Sequence, residues 1–259
     1  MSFLLQLSFL FFIGSFSGWG MEVLFRRYCC GSTNPERHWI NPGFLTGPYL
    51  PLYGFGLTAM YLICDLPWGG IAPTWLRALV VVLVIGVAMT VIEYIAGIIF
   101  VRGMHLSLWD YSDLPGNIQG VICPQYSALW CACGALYYLL VHPHIQQALD
   151  WFGRNLAFSF VVGFFYGVFA IDLGYTTQIV RKIRAFATEN DLVVRYEELK
   201  THIREAGQRQ AQKAKQKASF LFAFRSSEAL STHLERYREH YRARQAQLEA
   251  ALRRRKKRG

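Results

Sequence analysis

Basic residues are nearly missing from the first 180 positions, which hold six (Arg26, Arg27, Arg37, Arg77, Arg102, Arg154) against eight acidic ones, a net of −2. Residues 181–259 hold the other 21 basic and nine acidic side chains, so the formal charge of +10 belongs to the tail. No G-x-x-x-x-G-K-S/T phosphate loop occurs, so any ATP hydrolysis must come from another chain. Cys131-Ala-Cys133 has no matching His pair at ligand spacing, which argues against zinc, and no cofactor is implied. No nucleophile–base pair is legible from spacing, so no residue is assigned as catalytic. No RNP-like motif accompanies the basic tail, and nucleic acid is not the expected partner.

What the sequence does have is long apolar runs. Hydrophobic residues make up 53% of the chain and concentrate ahead of the basic tail. Five stretches approach the ~20 residues a spanning helix needs: 3–25, 48–66, 77–101, 120–141 and 155–179. The first lacks a basic start and ends in Glu22 and Arg26, unlike a cleaved signal peptide. The second is interrupted by Pro48, Pro51, Gly54 and Gly56, which neighbouring helices must cover. The expectation is an all-α polytopic membrane domain over 1–180, followed by a helical, basic tail over 181–259.

Orientation follows from the Lys/Arg bias of loops and helix ends. Arg26, Arg27 and Arg37 follow the first span, Arg102 follows the third, and Arg181-Lys182-Ile183-Arg184 follows the fifth. This places the N-terminus outside and the C-terminus in the cytoplasm, in a bacterial cytoplasmic (inner) membrane. Cys29 and Cys30 then lie where thiols stay reduced, so the six cysteines form no disulfide framework.

Four carboxylates stand in or beside the apolar runs: Glu22, Glu93, Asp110 and Asp172. With this orientation all four fall toward the cytoplasmic side. Ionisable groups in hydrocarbon are costly, so their convergence marks a candidate site. Ser15, Trp19, Glu22 and Arg26 share one helical stripe, and Glu22 can pair with Arg26 one turn away. Gly14 and Gly18 supply a small-residue ridge for close approach, as do Gly163 and Gly167 in the fifth span. Glu93 has no basic neighbour in sequence, which leaves pairing with Arg26 or Arg102, protonation or hydration. Trp109 and Tyr111 suit a membrane–water interface, and Asn117 closes a turn-forming loop. The expected arrangement buries the acids of the first, third and fifth spans around a wet, inward-facing hollow.

These residues resemble a known family. Gly14-Ser15, Gly18-Trp19, Glu22, Arg26, Gly43-Phe44-Leu45, Gly47-Pro48-Tyr49, Glu93-Tyr94, Trp109-Asp110-Tyr111-Ser112, Asn117, Ile122-Cys123, Ser127 and Trp130 are similar in order to those of the "Putative ABC-transporter type IV" (CmpB-type permease) family. The resemblance covers about residues 9–145. Pro42 and Val121 stand where relatives usually carry arginine, which leaves fewer cationic partners for Glu93 and Asp110. The resemblance implies a permease-like transporter subunit served by a separate ATPase, with loops 27–47 and 102–119 as its contact points. Five spans are few for a translocation path, so a homo-oligomer is expected.

In the tail, Leu192, Tyr196, Leu199 and Ile203 read as a heptad seam. A second helix is expected from Ser226 or Ser227 and ends in a basic run, suited to anionic lipid. Two other functions stay open: a non-catalytic scaffold that recruits partners through this tail, and an enzyme acting on lipid at the inner leaflet.

Overall fold

The computed structural model describes residues 2–29, 37, 39–190, 192–203, 234–239 and 241. They belong to two compact units, Met1–Gly103 with Trp109–Gln178, and Met104–Leu108 with Ile179–Gly259.

In the first unit, α1 (Phe3–Tyr28) begins at Ser2, whose hydroxyl accepts from Leu5 N at 3.4 Å. It ends with Arg26 and Arg27, cations that suit the negative end of the helix dipole. α2 (Pro51–Cys64) and α4 (Pro124–Leu136) both open on proline, which is harmless in a first turn. α3 (Thr74–Ile98) continues through one widened turn, Ile99–Gly103. α4 passes through a similar turn, Tyr137–Val141, into α5 (His142–Arg154). Pro143 accounts for that turn, because it has no N–H to give and opens the ladder before it. α6 (Ser159–Glu189) follows, and its residues up to Gln178 belong to this unit.

Among the described residues, four helical stretches are long and apolar enough to cross a bilayer: Phe3–Tyr28, Thr74–Gly103, Pro124–Arg154 and Leu156–Glu189. The segment expected over 48–66 is shorter. Residues before proline favour extended backbone, and Leu50, at φ −121° and ψ 105°, delays the helix until Pro51. The resulting 14 residues of α2 span only ~21 Å at 1.5 Å each, against ~30 Å of hydrocarbon. The stretch after 141 differs too, since α5 is helical where a loop was expected. Its Leu149 and Phe152 are buried with Phe9, Leu10 and Val162, and Phe152 stacks on Phe9 at 4.3 Å.

α1 packs on α2, α2 on α3 and α3 on α4. The first contact needs glycine: a Cβ on Gly14 would lie 2.8 Å from Tyr53 O and from Leu57 Cβ. The Gly163–Gly167 ridge is not used in this way. A Cβ at either position would meet nothing within 4 Å among the described residues. The buried face of α6 is instead the one bearing Val162, Phe165, Asp172 and Thr176.

In the second unit, β1 (Leu106–Ser107) pairs in parallel with β2 (Val194–Arg195), and Val194 N donates to His105 O at 3.0 Å. Leu192, Tyr196, Leu199 and Ile203 are all buried, but only the last three are helical. Leu192 lies just past the end of α6 and donates its N–H to Ala187 O at 3.0 Å, and β-branched Val193 and Val194 favour the strand that follows. Leu234 and Tyr237 are also buried, and Tyr237 accepts from Arg195 N at 3.2 Å. The start of the expected second tail helix and the closing basic run lie outside the described residues.

Candidate functional site

Polar side chains gather where α1 and α3 finish and α2 and α4 begin. Arg26 Nε donates to Glu22 Oε1 at 2.9 Å, and Tyr53, in the first turn of α2, donates to Oε2 at 2.7 Å. The Tyr53 ring meets Trp130 of α4 edge-on, with centroids 6.3 Å apart. Trp130 Nε1 then donates to Glu93 Oε2 at 3.0 Å, and the Tyr111 hydroxyl donates to Oε1 at 3.0 Å. Glu22, Tyr53, Trp130, Glu93 and Tyr111 form one continuous row. One turn before Glu93, Thr90 Oγ1 lies 3.1 Å from Ser127 Oγ of α4.

Glu93 is 4% exposed, and no cation pairs with it among the described residues. Of the two arginines considered as partners, Arg26 binds Glu22, and Arg102 donates to Gln119 Oε1 at 3.3 Å. Tyr111 is held by its own loop. Its ring stacks on Tyr126 at 4.3 Å, and its amide donates to Gly120 O at 2.8 Å. Burial, and then the adjacent Glu93 carboxylate, push the Tyr111 hydroxyl far above the usual phenol range, so it stays a neutral donor.

Trp109, Asp110 and Asn117 shape this loop rather than join the row. Trp109 Nε1 donates to Val121 O at 2.9 Å, and Asp110 Oδ1 accepts from Ser112 N at 2.9 Å. Asn117 donates to Ser112 O and Leu114 O and accepts from Gly120 N at 3.0 Å. Gly120 needs the left-handed region, at φ +69°. Val121 is buried against Gly97.

Asp172 has a different set of partners. It accepts from Thr46 N (3.1 Å), Thr46 Oγ1, Gly47 N (2.9 Å), Tyr49 OH (2.6 Å) and Thr176 Oγ1 (3.2 Å). Trp19 holds the same segment, since its Nε1 donates to Asn41 Oδ1 at 2.6 Å while Asn41 Nδ2 reaches Thr46 O at 3.0 Å. The three span acids therefore do not meet one another directly. Glu22 and Glu93 are linked through two aromatic side chains, and Asp172 is occupied by residues 46–49.

Sequence reasoning missed Tyr53 as the link and Thr46 and Tyr49 as the ligands of Asp172. Trp130 carried a signal, because a buried indole N–H usually has an acceptor. Nothing in the spacing told which acceptor.

Helices of this length and apolarity, with carboxylates inside them that accept hydrogen bonds from neighbouring helices and loops, define an integral, all-α, multi-pass membrane protein. The family model described as "Putative ABC-transporter type IV" matches residues 9–177, and the chain belongs to that family. The match runs past residue 145, where the sequence resemblance stopped, and takes in α5 and most of α6. No curated protein and no solved structure matches the chain.

Proposed function

We propose that this chain is the permease-like membrane subunit of a transporter. Its polar site lies in the cytoplasmic half of the membrane, and a separate chain supplies the ATPase. One observation carries the reading: the row Glu22–Tyr53–Trp130–Glu93–Tyr111 gathers at one end of a bundle of long apolar helices. Polar groups at membrane depth are expensive, and where they line up between helices they mark substrate or ion pathways. The chain has no phosphate loop of its own. The family's description and the Lys/Arg bias support the same reading, with residues 1–180 as the membrane domain, 181–259 as the cytoplasmic tail and the N-terminus outside.

A scaffold is the second reading, favoured by the separate buried core of the tail around Leu192, Val194, Tyr196, Leu199 and Tyr237. The full-length protein, solubilised from its native membrane, separates the two. A permease subunit brings down an ATPase polypeptide and loses it when residues 112–116 are replaced by a Gly-Ser linker. A scaffold brings down none, and its cellular role survives Glu93→Gln but not deletion of 181–259.

A further inference from the structure

The two buried span acids differ in how much of their accepting capacity is used. An ionised carboxylate offers about four acceptor positions on its two oxygens. Asp172 meets five donor groups, two of them backbone amides, so its acceptor positions are filled. Glu93 meets two donors, one on each oxygen, and both are neutral. It is nevertheless the less exposed of the two, at 4% against 8%. The groups around Glu93 add no cation among the described residues. The facing residues are Trp130 and Tyr126 on α4, Tyr111 on its loop and, behind Trp130, Tyr53 on α2. Glu22 and Arg26 on α1 bind each other on the far side of Tyr53, and Arg102 donates to Gln119. A buried carboxylate in a membrane helix whose described partners are two neutral donors can be neutralised by a proton, which needs no cavity.

We propose that Glu93 is a proton-exchange site, loaded and unloaded through the hydroxyl of Tyr111. Tyr111 is the one of its two donors that sits in a loop, next to the exposed residues Ser112 and Asp113. On loading, a solvent proton binds the Tyr111 hydroxyl oxygen as its own proton shifts to Glu93 Oε1, so Tyr111 stays neutral throughout. On unloading, the proton returns the same way, so no charge is lost or created. The Trp130 N–H holds the other oxygen in both states. This assignment rests on the permease reading above and gives it a coupling ion: transport through this chain would move protons.

The test uses the full-length protein in lipid nanodiscs and needs no transport substrate. Infrared difference spectra between acid and alkaline buffers should contain the carbonyl stretch of a protonated carboxylic acid. That band should vanish in Glu93→Gln and persist in Asp172→Asn. In Tyr111→Phe it should form at a pH displaced by about one unit, the size of one lost hydrogen bond to a charged group. Tyr111→Phe also serves as the second variant should Glu93→Gln fail to fold. A spectrum in which native protein and Glu93→Gln superimpose overturns the proposal, as does a band that Tyr111→Phe leaves unmoved. Either result leaves the permease reading intact, because the ATPase copurification decides that separately.

Discussion

Asp172 and Glu93 are both carboxylates in long apolar helices and both less than a tenth exposed, yet their surroundings are opposite. The Asp172 region is a staple. Five donors from residues 46–49 and Thr176 converge on it, and Trp19 braces the same segment from α1 through Asn41. The Glu93 region is sparse, with one indole and one phenol. An acid whose acceptor positions are full fixes structure, while one with vacant positions can change its protonation or its partner. Burial alone therefore does not distinguish the two acids; the number and kind of their donors do.

The largest effect that sharpens this contrast is expected from Asp172→Ala. It orphans two amides and three hydroxyls, and should cost about 3 kcal/mol or more of stability. Thermal unfolding in nanodiscs measures the loss, and faster hydrogen exchange at Thr46 and Gly47 locates it. Tyr49→Phe removes one donor from the same carboxylate and should cost about 1.5 kcal/mol, read from the same unfolding midpoints. Glu93→Gln keeps an acceptor for one of its two donors and should cost about 1 kcal/mol. If instead it destabilises as much as Asp172→Ala, the two regions are alike and the contrast fails. Asp110→Ala comes last. It loses the hydrogen bonds to Ser112 in an exposed turn and should cost about 0.5 kcal/mol, with the nearby Tyr111–Glu93 contact unaffected in the infrared band.

Much of this was legible in the chain. The Glu22–Arg26 pair follows from a spacing of four on a helix, and the Gly14–Gly18 ridge marks where α1 meets its neighbour. The proline-interrupted second stretch was visible as irregular, though not that it would shorten to 14 residues. The partner of Glu93 was not legible. Arg26 and Arg102 were the chemically natural choices, but Arg26 is taken by a residue one turn away. The donors that reach Glu93 lie 18 and 37 positions along the chain. Gly163 and Gly167 carry the same motif as Gly14 and Gly18 and pack on nothing among the described residues, so spacing alone does not specify a contact.

Local sequence determined that this chain enters a membrane as helices, because runs of apolar residues and the distribution of arginine act within a span and its flanks. It also determined the pairing of Glu22 with Arg26, since four residues make one helical turn. Which helix faces which, and hence which acid is saturated and which keeps vacant acceptor positions, was decided only by tertiary structure. Hydrogen bonds from Thr46 to Asp172 or from Trp130 to Glu93 exist only after distant segments pack, and their geometry depends on angstrom-scale approach that no periodicity encodes.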